Sequence, residues 1–240
     1  MDKSHQNDRI FLDVPFADKD AAKAAGARWD GAARRWYAPR PGMTALERWR
    51  ALPNPLPGED RTFGGSALFV DLVPRSCWFT NVRSAAPADW PRIRAMCLPR
   101  AGFACEVCGS KQRLELHERW HFDNATRVQT LRRLIVLCHA CHQSTHMGLA
   151  EVRGYGDEAA EHLARINGWR TAGEARRHID AAFALWEERS RCDWKLDLSM
   201  LERAGIALEV PSAGKRADIA DAELEKRRPG GWLAHILGRN

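Results

Sequence analysis

Two Cys-x-x-Cys pairs, Cys105/Cys108 and Cys138/Cys141, constrain this chain more than anything else in it. Each pair presents two soft sulfurs on a tight turn, and four such sulfurs suit a tetrahedral structural zinc. The segment between them must then fold back so that its two ends meet. That segment holds Leu114-Glu-Leu-His117-Glu118-Arg-Trp-His121, and the second pair runs directly into His142 and His146. A four-cysteine site has no use for His117, His142 and His146. Histidines beside a structural zinc but not needed for it point to a second, catalytic metal that keeps an open coordination position for water or substrate.

Cys105-Glu-Val-Cys108, Leu114-Glu-Leu-His117-Glu118 and Leu134-Ile-Val-Leu-Cys138-His-Ala-Cys141-His142 follow one another in an order that resembles the zinc-knuckle members of the HNH endonuclease superfamily. The resemblance implies a ββα-metal finger whose first strand carries His117 and Glu118 and whose helix starts near His139. Positions four apart lie on one helix face, so His142 and His146 can both reach an ion held against the strand by His117. In that family a divalent ion (magnesium, manganese, nickel or zinc) contacts the scissile phosphate, and a histidine next to the first ligand activates water. Carried over, His117 is the first ligand and Glu118 stands in the place of the base. A free glutamate, with a pKa of about 4.3, is a weak base unless burial raises it. His121 is the other candidate, although on a strand it would face away from Glu118. Arg133 occupies the position where the family has an asparagine that braces the loop behind the site.

A second resemblance is wider. Val73-Pro-Arg-Ser-Cys-Trp78-Phe-Thr-Asn81-Val-Arg83, Asp89-Trp90-x-x-Ile-Arg94, His117-Glu118-x-Trp120 and Asn167-Gly-Trp169 are similar to a group of bacterial and phage proteins described only as HNH-like. In that group His-Glu-x-Trp is the ordinary reading, which makes Glu118 part of the pattern.

At 240 residues the chain has length for one compact domain or two small ones. No run of about 18 apolar residues occurs, and the first residues lack an apolar signal core, so no membrane association and a cytoplasmic location are expected. Of the seven cysteines, Cys77, Cys97 and Cys192 have no partner spacing, and zinc in a reducing compartment is the better reading than disulfides. A net charge of +6 favours a polyanion as partner, and the HNH resemblance implies DNA ahead of RNA.

The expected architecture is α+β: a small N-terminal α/β module (1–57), a linker (58–65), a zinc-stabilised ββα-metal domain (66–150), a helical cover (151–210) and a basic tail with an apolar Trp232 end (211–240). Within the module, strand-like Arg9 to Phe16 and Arg35 to Ala38 alternate with helices over Asp18 to Ala25 and Met43 to Leu52. Its residues from Ile10 to Pro39 resemble a short domain of unknown function found at the N-termini of plasmid-borne primase-like and antirestriction-type proteins. Arg28, Trp29, Arg34, Arg35, Trp36 and Tyr37 are the candidate nucleic-acid contacts, since guanidinium groups hold phosphates and aromatic faces stack on unpaired bases. The same tryptophans could equally form the core of a very small domain. Pro53-Asn-Pro-Leu-Pro-Gly58 reads as the linker, Ala67 to Val73 as a strand, Trp90 to Arg100 as a basic helix, and Trp194 to Leu201 as the last cover element. Trp78, Trp90 and Trp120 read as core before they read as base-stacking platforms, His162 and His178 read as surface or helix-packing residues, and His139, inside the second knuckle, is a poor candidate for chemistry. The leading function is a metal-dependent nuclease. A non-catalytic zinc-containing nucleic-acid-binding protein, or an interaction protein recruiting a partner through the C-terminal helices and tail, is the alternative.

Overall fold

The computed structural model describes residues 9–77, 81–212, 214, 215 and 218. Its N-terminal unit is a three-stranded antiparallel sheet in the order β1-β3-β2, from β1 (Ile10–Leu12), β2 (Arg28–Asp30) and β3 (Arg35–Ala38), with α1 (Lys19–Ala24) crossing from β1 to β2. α1 stops where Gly26 turns to a φ of 98°, a backbone state that a side chain resists. The β2–β3 hairpin is made by Asp30, whose carboxylate accepts the amides of Ala32 and Ala33. Leu12, Val14, Ala22, Ala27, Ala38, Leu46 and Trp49 form a core of their own. The helix expected over Met43 to Leu52 is a tighter 3-10 stretch, Thr44–Trp49. It lies between Gly42 and Pro53, and Arg50 is already back in extended backbone, bridged to Leu12.

The centre of the molecule is a long hairpin, β4 (Leu114–Asp123) and β5 (Val128–Cys138), extended by β6 (Lys195–Asp197), which runs parallel to β5. Successive strand residues face opposite ways, and here both faces are covered. Leu116, Leu134 and Val136 face α2 (Val82–Ala85), α3 (Trp90–Arg100) and α8 (Ser199–Glu202). Ile135 and Leu137 face α4 (His139–Thr145), α5 (Met147–Val152), α6 (Gly156–Asn167) and α7 (Ala172–Ser190). Burial on both sides is why β5 reads as an unbroken Leu-Ile-Val-Leu run. Trp120 is buried in the first of these cores and Trp90 packs against it. Trp78 and the Trp232 end piece lie outside the described residues.

Three further expected elements differ. Ala67 to Val73 is not a strand, because its backbone groups are taken up by neighbours and not by a ladder: Asn167 brackets Leu68, and the Asp71 amide donates to the Thr145 carbonyl. The Trp194 to Leu201 element splits into β6 and α8, since Asp197 caps the turn by accepting the Ser199 amide.

The third difference is the linker. Leu52 and Leu56 are buried in the main core, and Glu59 lies beneath them with both oxygens on the Arg100 guanidinium at 2.7 and 2.8 Å. Register shifts between Arg119 and Trp120, which leaves Arg132 as the extra residue on β5, and its carbonyl accepts the Asp60 amide. The proline-rich segment is therefore bound along the sheet. Glu59→Ala should leave the Arg100 charge buried and unpaired and cost about 3–5 kcal/mol. The check is the urea midpoint, which stays unchanged only if 53–60 merely spans between units.

Candidate metal centre

The four cysteines meet where the hairpin ends. The Cys105–Cys108 turn is closed by the Gly109 amide on the Cys105 carbonyl and the Cys105 amide on Ser110, Cys138 is the last residue of β5, and Cys141 lies in the first turn of α4. All four sulfurs fall within 4.8 Å of one another, and Cys108 and Cys138 approach to 3.5 Å. Zinc–sulfur bonds of about 2.3 Å would put tetrahedral sulfurs roughly 3.8 Å apart, so the cluster fits a structural metal such as zinc. Its electrostatics agree. Cys105 is pushed down to about 4 by its bond from Cys141, while Cys141 is pushed up by the same contact and by burial. Four thiolates this close would repel one another, and a cation between them would remove that repulsion.

His162, read from sequence as a packing residue, belongs to this cluster's surroundings. Arg165 can only donate, and its guanidinium lies 2.7 Å from His162 Nδ1, so that nitrogen accepts. Nε2 then carries the proton, and it lies 3.2 Å from Cys141 Sγ as an N–H···S donor. His178 stacks flat on Trp169 at 4.2 Å.

The second cluster is built by the same corner. His117 points from β4 toward α4, where His142 and the C-capping His146 stand one turn apart. The three ring nitrogens lie within 4.8 Å of one another. Glu115, on the same face of β4 as His117, lies 2.9 Å from His142 Nδ1 and 2.6 Å from His139 Nδ1. A proton on His142 Nδ1 leaves its Nε2 lone pair free, and that atom faces His146 Nε2 at 3.1 Å. Metal–nitrogen bonds of about 2.0–2.1 Å give tetrahedral nitrogens close to 3.3 Å apart, so this pair also fits an ion. Both nitrogens of His117 are buried without a hydrogen-bond partner. Burial and the neighbouring imidazoles hold His117 and His146 well below the ordinary histidine range. Neutral rings with free lone pairs are what a divalent metal needs.

Neither base candidate joins this group. Glu118 is one residue on from His117 and therefore faces α2, where its Oε1 accepts the Val82 amide at 2.8 Å, and burial raises its carboxyl to about 7. His121 is exposed and lies edge-on to Phe63 at 6.3 Å. The carboxylate nearest His117 is Asp71, whose Oδ2 is 3.8 Å from Nε2. Sequence reasoning passed over both Asp71 and Glu115. The signals were there: a lone acid inside the apolar run Ala67 to Val73, and an acid two positions from His117 on a strand. Arg133, where a bracing asparagine was expected, does brace a loop. With Arg119, its cross-strand partner, it converges on the carbonyls of Phe63 and Gly65. Arg119 NH1 passes so close to Gly64 that a Cβ there would sit 2.6 Å from it.

The N-terminal candidates divide. Arg35 is half-buried on Asp13, a carboxylate with no exposure that also accepts the Leu52 amide, so Arg35 has a structural partner. Tyr37 lies under the Arg9 guanidinium, and Trp36 is half-buried edge-on to Trp29. Arg28, Arg34 and Trp29 are exposed, with Trp29 showing 52% of its surface, and Arg34 stacks over Phe103 of the finger at 4.1 Å.

Residues 9–50 match a family described as a domain of unknown function (DUF5710). This stretch is similar to two proteins named DNA primase TraC from Escherichia coli. One is 47% identical over 51 residues, covering 21% of this chain and 5% of that protein, and the other is 52% identical over 46 residues, covering 19% and 3%. The chain therefore spans only a small part of these relatives. No solved structure matches it. Among the described residues no helix is long and apolar enough to cross a membrane.

Purified protein should carry one tightly held zinc per chain, and Cys138→Ser should release it. Losing even about 5 kcal/mol of metal-linked folding energy lowers the melting temperature by roughly 10–20 °C at this size. Elemental analysis and a thermal melt check this, and an unchanged melt for Cys138→Ser would contradict the assignment.

Proposed function

We propose that this protein is a metal-dependent nuclease of the HNH type that hydrolyses phosphodiester bonds of DNA, with an N-terminal module that grips unpaired strands. The observation that carries the proposal is the convergence on one point of His117, whose ring nitrogens have no hydrogen-bond partner, with His142 and His146, whose Nε2 atoms meet at 3.1 Å, beside a separate four-cysteine site. A divalent ion bound there would supply Lewis-acid stabilisation of charge on the phosphate oxygens. His117, His142 and His146 would hold it as neutral ligands, and Glu115 would fix the His142 tautomer. The N-terminal match to segments of proteins named DNA primases supports a role in DNA metabolism, in keeping with the surface that Arg28, Trp29 and Arg34 present.

The second reading is a nucleic-acid-binding protein without catalysis. It is favoured by one observation: neither Glu118 nor His121 reaches the histidine cluster. A cleavage assay on single- and double-stranded DNA with magnesium, manganese or nickel separates the two. For the nuclease, His117→Ala and His142→Ala should each lower cleavage by on the order of 100-fold or more while the four-cysteine zinc stays bound. Absence of cutting by the wild type under every metal selects the second reading.

Both readings expect Trp29→Ala to weaken single-stranded DNA binding by about 1–3 kcal/mol without changing the melting temperature, because the ring is exposed. Affinity should also fall with added salt. Fluorescence anisotropy measures both, and unchanged binding would confine Trp29 to packing on Trp36.

A further inference from the structure

We propose that Asp71 is the positioning carboxylate of the histidine metal site, acting on His117 as Glu115 acts on His142. The inference rests on the reading of His117, His142 and His146 as ligands of a divalent ion. Asp71 is carried on a segment with no strand partner, yet that segment is fixed from several sides. The Asn167 amide group clamps Leu68, accepting from its N–H at 3.2 Å and donating to its carbonyl at 2.7 Å. Arg119 donates to the Ala67 carbonyl, Trp186 to the Val73 carbonyl, and the Asp71 amide donates to Thr145, the residue before His146. Helices α4, α6 and α7 and strand β4 thus set the height of one side chain.

That side chain is in an expensive place. It is 7% exposed, and its Oδ2 is buried with no hydrogen-bond partner, 3.8 Å from a His117 Nε2 that has none either. A carboxylate buried this deeply is unfavourable even with the Arg119 and Arg189 guanidiniums acting on it. The nearby Arg119 guanidinium is held by the carbonyls of Phe63, Gly65 and Ala67. Three unpartnered buried atoms at one point, Asp71 Oδ2 and both His117 nitrogens, make sense together once a cation is counted. A His117 Nε2–H directed at Asp71 leaves the Nδ1 lone pair for the ion, which is the carboxylate–histidine–metal arrangement. The Trp120 backbone amide, beside the β4–β5 register shift, acts favourably on the Asp71 carboxylate. The Asn167-Gly-Trp169 motif thereby acquires a role: Asn167 holds the Asp71 segment in place.

The test uses the full-length protein with its four-cysteine metal in place, titrated with cobalt or nickel alone and followed by calorimetry and by the cobalt absorption bands. Asp71→Asn keeps the shape and the Trp120 contact. It should lower affinity for the second ion about 10- to 100-fold with unchanged stoichiometry. Its melting temperature before titration should be equal to or above that of the wild type, because the atom replaced is a buried carboxylate oxygen with no hydrogen-bond partner. Asn167→Ala, which leaves the carboxylate in the chain and frees its segment, should weaken the ion by a smaller factor. Equal affinity in wild type and Asp71→Asn would overturn the proposal while leaving the histidine site standing. A lower melting temperature of Asp71→Asn before titration would overturn it too, since Asp71 would then be a structural carboxylate. Failure of the wild type to take up a second ion would remove the histidine site itself, and Asp71 with it.

Discussion

The meeting of four sulfurs at the end of the β4–β5 hairpin is the constraint on which the rest depends. It ties the turn after α3, the last residue of β5 and the first turn of α4 to one point. With Cys138 and Cys141 both fixed, α4 has neither translational nor rotational freedom against the hairpin. Residues 142 and 146 then fall on the helix face that looks at β4, one residue and five residues after the last sulfur. The histidine site inherits its precision from the cysteine site. Packing adds to this: Ser144 on the buried face of α4 donates to the Ala159 carbonyl of α6, so the seven-residue helix is held from both sides.

The hairpin contributes a second constraint, its two-residue alternation between faces that are both buried. Glu115 and His117 share the α4 face, which makes the carboxylate–histidine contact to His142 possible. Glu118 has to take the other face, where it meets the first amide of α2. The bulge beside Arg119 adds a further consequence. Two buried arginines opposite each other would repel, and burial together with that crowding lowers Arg119 to about 10. The carbonyls of Phe63 and Gly65, together with Glu106 on Arg133, offset this and draw the 59–67 segment onto the sheet.

Much of this was legible in the residues. Cys-x-x-Cys spacing located the first cluster, the i, i+4 pair His142 and His146 located the second, and the apolar run of β5 announced a strand covered twice. What stayed hidden depends on contacts between segments far apart in the chain. Proline content suggested a free linker over 53–58, but Leu56 and Glu59 are buried against α3 and β5, and no local pattern records that. An apolar run suggested a strand over Ala67 to Val73, but a side chain, Asn167, supplies the backbone partner of Leu68 there. Asp71 was hidden for the same reason: its neighbour His117 is reached only once both segments are packed.

The N-terminal module shows how far composition can be read. Arginines interleaved with aromatics suggested one nucleic-acid surface, and the fold divides that set by strand pairing. Asp30 and Arg35 face each other across β2 and β3, yet Arg35 reaches the buried Asp13 and Asp30 closes the hairpin. Trp29 and Trp36 are cross-strand partners, with Trp36 packed against the small core and Trp29 outermost. A tiny domain needs one tryptophan of the pair for its own stability, so only the outer one is left over. Arg34 sits in the same hairpin with its guanidinium over Phe103, five positions before Cys108. The exposed tip of the module is thereby joined to the turn that leads into the four-cysteine cluster.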